Sequence, residues 1–219
     1  MKMKSFVIKG TTNKEQMLAM VRDALIGGGD SHADINLHAD TWLPFRDEDG
    51  DEFTFIDNFK KTGGIFMYFE SVGNFVEALR QFVVENKWSI LTSSPKIKNL
   101  LQENDFDFSD DFSVASSQNV VLLDCECLVA QTGSIVFTTA QTGSPAAVGN
   151  ADTLLVMATP RQFVSRIKDA LDVLRMRYMS LPPQSVFVTG QSSSSDIDNT
   201  LVKGALGIRK IALFLVEED

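Results

Sequence analysis

From Phe55 onward the chain alternates short apolar runs of strand length with longer segments of helical spacing, and this rhythm restricts the fold more than any other feature. Residues 65–69, 89–92, 120–123, 135–138, 153–158, 185–189 and 211–216 read as strands. Helical spacing fills the gaps. Residues 55–61 form a short helix that stops at Gly63-Gly64. Residues 74–86 place Phe75, Leu79, Phe82 and Val83 on one face, and 95–102 form a further helix. Residues 161–179 carry Val164, Ile167, Leu171 and Leu174 on one stripe and end at Leu181-Pro182-Pro183. A last helix is expected around 196–203. Strands joined by helices of this length imply βαβ units, hence an α/β fold with a mostly parallel sheet covered on both faces. The uninterrupted apolar strands 120–123, 185–189 and 211–216 are expected at its centre. The stretch 127–140 reads as a local antiparallel hairpin.

The 219 residues suit one large domain, or one with a small appendage. Residues 1–54 read as the appendage, packed on a main domain at 55–219. Thr12-Asn13 caps a helix over 14–25 with Met17, Val21 and Leu25 on one face. Residues 27–52 hold glycines, His32, His38 and the acidic run Asp47-Glu48-Asp49-Gly50-Asp51-Glu52. That run lacks the order of a Ca²⁺ loop and reads as a solvated surface loop. Neither histidine has a cysteine or third histidine nearby, so both are expected to be exposed and free of metal.

A formal net charge of −9, with no basic run, argues against nucleic acid as a partner. No stretch approaches the roughly 18 apolar residues of a membrane helix, and no leader pattern follows the first residues. The protein is expected to be cytoplasmic. Its two cysteines, Cys125 and Cys127, are too few for a zinc or iron–sulfur site within this chain and are expected to be reduced and partly buried. No cofactor is therefore expected in this chain.

The chemistry-bearing candidates are three glycine-marked loops: 131–134, 190–196 and 204–207. The last strand-to-helix turn is the most distinctive, with Gly190 followed by Ser192, Ser193, Ser194, Ser195 and then Asp196. A strand entering a helix through such a loop presents free N–H groups and hydroxyls to an anion. In open α/β sheets these turns gather at the carboxyl edge, where ligands bind. Each loop also has a plain structural use. Gly133 can end a strand, Gly204 and Gly207 can terminate a helix, and Asp196 can cap one. No Walker loop, dinucleotide fingerprint or serine-nucleophile pattern is present, and the histidines are badly placed for a triad.

Taken in order, Ala130-Gln131-Thr132-Gly133-Ser134, the Leu181-Pro182-Pro183 break, Gly190 through Ile197-Asp198, and Lys203-Gly204-Ala205-Leu206-Gly207 resemble the LUD-domain family, which includes lactate utilization protein C. In that family the first segment reads Ala-Glu-Thr-Gly-Thr/Ser, the second Gly-Pro-Ser-Arg-Thr-Ala-Asp-Ile-Glu, and the third Gly-Val-His-Gly-Pro. Thr132, Gly133, Gly190, Ser192, Asp196, Ile197, Gly204 and Gly207 match. Gln131 stands for a glutamate, Gln191 for a proline, Ser193 for an arginine and Leu206 for a histidine. The acid, the guanidinium and the imidazole are thus all replaced, which implies a retained fold with an altered or weakened site.

The resemblance implies the three-layer α/β/α fold shared with glucosamine-phosphate deaminases, ribose-phosphate isomerases and CoA transferases. It implies ligand contacts from Gln131, Thr132, Gly133, Ser134, Gly190, Ser192, Ser193, Ser194, Ser195, Asp196, Gly204 and Gly207. It also implies a role beside iron–sulfur partner proteins in L-lactate oxidation to pyruvate. Two other classes of function fit the same residues: an enzyme or binding protein for a phosphorylated or CoA-linked small molecule, and a non-catalytic scaffold subunit.

Overall fold

The computed structural model describes residues 50–112, 119–143, 146–149, 151–195, 201–203 and 207–217. The expected helix at 14–25, both histidines, Asp196, Gly204 and Leu206 lie outside these residues.

Helix α1 (Asp51–Lys61) opens the described chain and leads into β1 (Ile65–Phe69), α2 (Val72–Asn86), β2 (Ser89–Leu91), α3 (Pro95–Glu103), β3 (Phe108–Ser109) and β4 (Asn119–Asp124). The hairpin β5 (Cys127–Val129) and β6 (Ser134–Thr138) follows, then the short helices α4 (Thr139–Thr142) and α5 (Ala146–Gly149). The chain continues through β7 (Thr153–Ala158), β8 (Phe163–Val164), α6 (Ile167–Tyr178), β9 (Ser185–Val188), β10 (Ser193–Ser195), β11 (Leu201–Lys203) and β12 (Lys210–Val216).

Local chemistry sets the helix ends. Asp51 and Glu52 occupy the first turn of α1 and Lys60 and Lys61 the last, each charge opposing the nearby end of the helix dipole. The Ser71 hydroxyl accepts from the Asn74 N–H at the start of α2. Ser94 does the same for Ile97 at α3, where Pro95 sits in the first turn and forfeits no bond.

The middle layer is a six-stranded sheet in the order β1-β12-β7-β4-β2-β3, parallel at every pairing. Its central strands β12, β7 and β4 are covered on both faces, which their unbroken apolar sequence requires. On one face, Phe75 and Leu79 of α2 and Ile97 and Leu101 of α3 pack on Val120, Leu122, Leu155 and Phe214. On the other side lie α1, with Phe55, Ile56 and Phe59 fully buried, and a four-stranded sheet ordered β8-β5-β6-β9. Cys127, Val129 and Val136 of that small sheet face Ala170 and Leu174 of α6. Strand alternation turns Leu128, Ile135 and Phe137 the opposite way. Helices thus flank the parallel sheet on both sides, giving the α/β/α layering that the sequence implies.

Four expectations are corrected. The α1 helix begins at Asp51 rather than residue 55, so the end of the acidic run is a helical first turn and not loop. The long helix starts at Ile167 rather than 161, because Phe163 and Val164 are a strand paired with Leu128 and Val129. Strand β9 is not in the parallel sheet at all. It is the edge of the small sheet, antiparallel to β6, and three of its four residues are only half-buried. Finally, 193–195 and 201–203 pair as an antiparallel ribbon, so the end of the helix expected around 196–203 is strand, and 196–200 lie outside the described residues. The hairpin expected near 127–140 is present as β5–β6.

Candidate functional site

Strands β2, β4 and β7 end side by side at the carboxyl edge of the parallel sheet, where an open α/β sheet offers its loops to ligands. The turns after these strands and the end of α6 enclose a cleft of about 440 Å³. Ser94 to Lys96, Asp124 to Glu126, Gln141, Thr159, Gln162, Arg177 and Tyr178 contribute to its lining.

Glu126 is the unusual residue of this cleft. It follows the turn out of β4, and its side chain is completely buried. A buried carboxylate is tolerated only when its oxygens are occupied. Here Thr138 Oγ1 donates to Oε1 at 2.6 Å, the Tyr178 hydroxyl donates to the same oxygen, and the Arg177 guanidinium pairs with Oε2. The Gln141 N–H in turn donates to Thr138 Oγ1 at 3.2 Å. Burial, followed by the bond to Glu126, holds the Tyr178 phenol above its ordinary pKa. Beside this network, Ser94 Oγ donates to Asp124, and Gln162 bridges the cleft wall by accepting from the Thr159 N–H and donating to the Cys125 carbonyl. The sequence contains one clue to Glu126: it is one of two acids, with Asp124, set between the apolar runs Leu122-Leu123 and Leu128-Val129. Its partners come from segments far apart in the chain and leave no local pattern.

With two hydroxyls on one oxygen and a guanidinium against the other, Glu126 is held in place as the anchor of this network. The cleft is equipped to bind and orient a polar molecule. Among the described residues, no three His, Cys, Asp or Glu side chains come together to hold a metal.

The residues expected from sequence gather elsewhere. Thr132 Oγ1 meets Ser134 Oγ at 2.6 Å, and Ser134 Oγ meets Thr189 Oγ1 at 2.6 Å. The Ser192 N–H donates to the Ile208 carbonyl at 2.7 Å, beside Gly207. The loops at 131–134 and 189–192 and the described part of 204–207 therefore do converge. They converge, however, at the amino edge of the parallel sheet, next to the turn that precedes β1 and the residues that precede β12. The expected carboxyl-edge placement is corrected because β5 doubles back after Glu126 and carries the Thr-Gly pair to the far end. A cavity of about 350 Å³ lies there, lined in part by Val148, Thr189, Gly190, Gln191 and Ser192.

Two of the motif glycines serve close packing against the end of α1. Gly133 has φ +64°, and a Cβ there would lie 2.5 Å from the Phe59 nitrogen. Gly190 has φ +100°, and a Cβ would lie 2.5 Å from the Thr62 carbonyl oxygen. Gln131 is held through its backbone: its N–H donates to Ser165, and its carbonyl accepts from Asn58 Nδ2. Ser193, Ser194 and Ser195 form β10.

Cys125 and Cys127 are free thiols and fully enclosed. Burial pushes Cys127 up to about 12 and Cys125 well above the ordinary thiol value of 9.0. Neither should react with a thiol reagent until the protein unfolds. Because the folded pKa values are raised, the stability these groups contribute is complete below pH 9.0 and falls as pH rises from there toward about 12. Tyr178 acts in the same direction. Urea midpoints measured from pH 7 to 11 should decline on the alkaline side, less steeply in Cys127→Ala. A flat alkaline limb would contradict the burial described.

A parallel six-stranded sheet with helices on both sides defines the three-layer α/β/α class. Within that class the chain belongs to the LUD-domain family, whose sequence pattern matches residues 54–216. The fold is similar to the crystal structure of a DUF162 family protein from Deinococcus radiodurans, with a TM-score of 0.56 and 14% identity over 76% of this chain and 96% of that one. No curated protein matches the sequence. Among the described residues, no helix is long and apolar enough to cross a membrane.

Proposed function

We propose that this chain is a component of L-lactate oxidation similar to lactate utilization protein C, and that it acts beside iron–sulfur partner proteins. The observation that carries this reading is the LUD-domain match over 54–216, which covers both the cleft and the glycine loops. Oxidation of lactate to pyruvate releases two protons and two electrons. Two buried cysteines cannot ligate a cluster, so clusters that receive electrons belong to other chains. This chain's share is to bind and orient. That division of labour agrees with Gln131, Ser193 and Leu206 replacing the family's acid, guanidinium and imidazole.

A second reading, binding of a phosphorylated or CoA-linked small molecule, is favoured by the hydroxyls of Thr132, Ser134 and Thr189 converging near Gly190 and Ser192. One experiment separates the two. Deleting the gene should abolish growth on L-lactate as sole carbon source, with rescue by the intact gene, and the tagged protein should co-purify with cysteine-rich iron–sulfur proteins. Normal growth of the deletion strain on L-lactate would overturn the lactate reading.

A further inference from the structure

We infer that the carboxyl-edge cleft holds a small hydroxylated anion, its charged group a carboxylate or a phosphate, with Gln141 meeting the hydroxyl and Arg177 the charge. This rests on the reading above only in taking the cleft as the protein's ligand site.

The first observation is an orphaned polar atom. Gln141 lines the cleft, and its Oε1 is buried with no hydrogen-bond partner among the described residues. Two further buried hydroxyl oxygens in the same condition, on Thr92 and Ser93, belong to the turn that supplies Ser94 to the cleft. Unpaired buried polar atoms are uncommon in folded proteins, and each needs an explanation. A hydroxyl answers an amide at either end, since it both donates and accepts. The backbone that carries it is anchored. Helix α4 starts at the Thr138 cap, and the Gln141 N–H is tied to Thr138 Oγ1, the atom that also donates to Glu126.

The second observation is the balance of charge. Four charged side chains line the cleft: Lys96, Asp124, Glu126 and Arg177. The carboxylates are the inner pair. Glu126 is buried beneath three donors, and Asp124 accepts from Ser94. The Arg177 side chain is 50% exposed. Its guanidinium carries more N–H donors than the pair with Glu126 uses. The four charges balance, and the half-exposed Arg177 guanidinium is a group that an entering anion can meet. A planar guanidinium suits carboxylate and phosphate oxygens alike. Gln141 and Arg177 line the same cleft, and Thr138 and Glu126 connect the Gln141 backbone to the Arg177 head through consecutive hydrogen bonds. The volume of about 440 Å³ accommodates such a ligand.

Isothermal titration calorimetry on the full chain at low salt tests the inference with matched pairs that differ by the hydroxyl: L-lactate against propionate, and glycerol 3-phosphate against propyl phosphate. At least one hydroxylated member should bind about ten- to a hundredfold more tightly than its partner, because the partner leaves a buried amide unmet. The pair that responds identifies the charged group. Gln141→Met should abolish that preference while keeping residual anion binding. Gln141→Glu, which keeps the shape and adds a negative charge, should abolish binding of both members. Thermal midpoints confirm that each variant is folded. The inference is overturned if neither hydroxylated anion binds at millimolar concentration, if the pairs bind equally, or if Gln141→Met retains the preference. Failure here with lactate growth still lost on deletion would remove the ligand assignment and leave the lactate reading standing.

Discussion

Gly133→Ala should lower the stability of the protein by about 2–4 kcal/mol, the sum of a left-handed alanine and an overpacked contact. Gly133 holds φ +64°, where a side chain is strained regardless of space. The space is also absent: the added Cβ would lie 2.5 Å from the Phe59 nitrogen, 2.7 Å from the Asn58 carbonyl carbon and 2.9 Å from the Phe59 Cα. All three are backbone atoms of a helix whose inner face, Phe55, Ile56 and Phe59, is fully buried, so α1 has little room to retreat. Asn58 meanwhile ties that helix to the same turn by donating to the Ala130 and Gln131 carbonyls. Gly149→Ala is the control. Nothing lies within 4 Å of the point its new Cβ would occupy, and alanine favours a helix by up to about 1 kcal/mol. Urea denaturation should show a large leftward shift for the first variant and no leftward shift for the second. Equal midpoints would mean that α1 does not dock on the Thr-Gly turn.

Glu126→Leu should cost about 2–4 kcal/mol. Breaking a fully buried pair typically costs more, but the Arg177 head is half in water and can rehydrate. The loss comes mainly from the Thr138 and Tyr178 hydroxyls, which lose their acceptor in a place that water reaches poorly. Glu126→Gln keeps an oxygen for those two donors but turns an amide toward Arg177, and should cost about half as much. Combining Tyr178→Phe with Glu126→Leu should add less than the separate losses, since both remove one bond. Chemical denaturation of the four proteins gives the cycle. Strict additivity, or a Glu126→Leu variant as stable as the parent, would show that this network does not hold α6 to the sheet.

The fold was legible wherever apolar period and strand length agreed. Strand 153–158 has the expected bounds, and β1, β4 and β12 lie within one residue of them, because strands buried on both faces consist almost wholly of apolar residues. Misreadings arose where two periods compete. Phe163 and Val164 fit the helical stripe of 161–179, yet their β-branched and aromatic side chains pair beside β5. The run 185–188 is as apolar as a central strand, and nothing local says that it joins a different sheet. The site was harder. The glycine loops carry a familiar pattern and are brought together, but which edge of the sheet they reach depends on the reversal after Asp124. The Glu126 network joins residues as far as 52 positions apart from several elements, and no short window of sequence contains it.

The turn at Asp124-Cys125-Glu126 belongs to both sheets at once. Asp124 is the last residue of β4 in the parallel sheet, opposite Met157, while the Glu126 N–H already bonds to Val136 in the small sheet. The two layers are thus spliced through three residues with no linker between them. A joint of that kind has no slack. Domains that clamp a ligand by swinging about a flexible connection leave their pocket open until it is filled. This cleft, set at the splice itself, takes its shape from folding, so a ligand of the kind proposed above would meet a pocket whose form is inherited from the stability of the molecule rather than acquired on encounter.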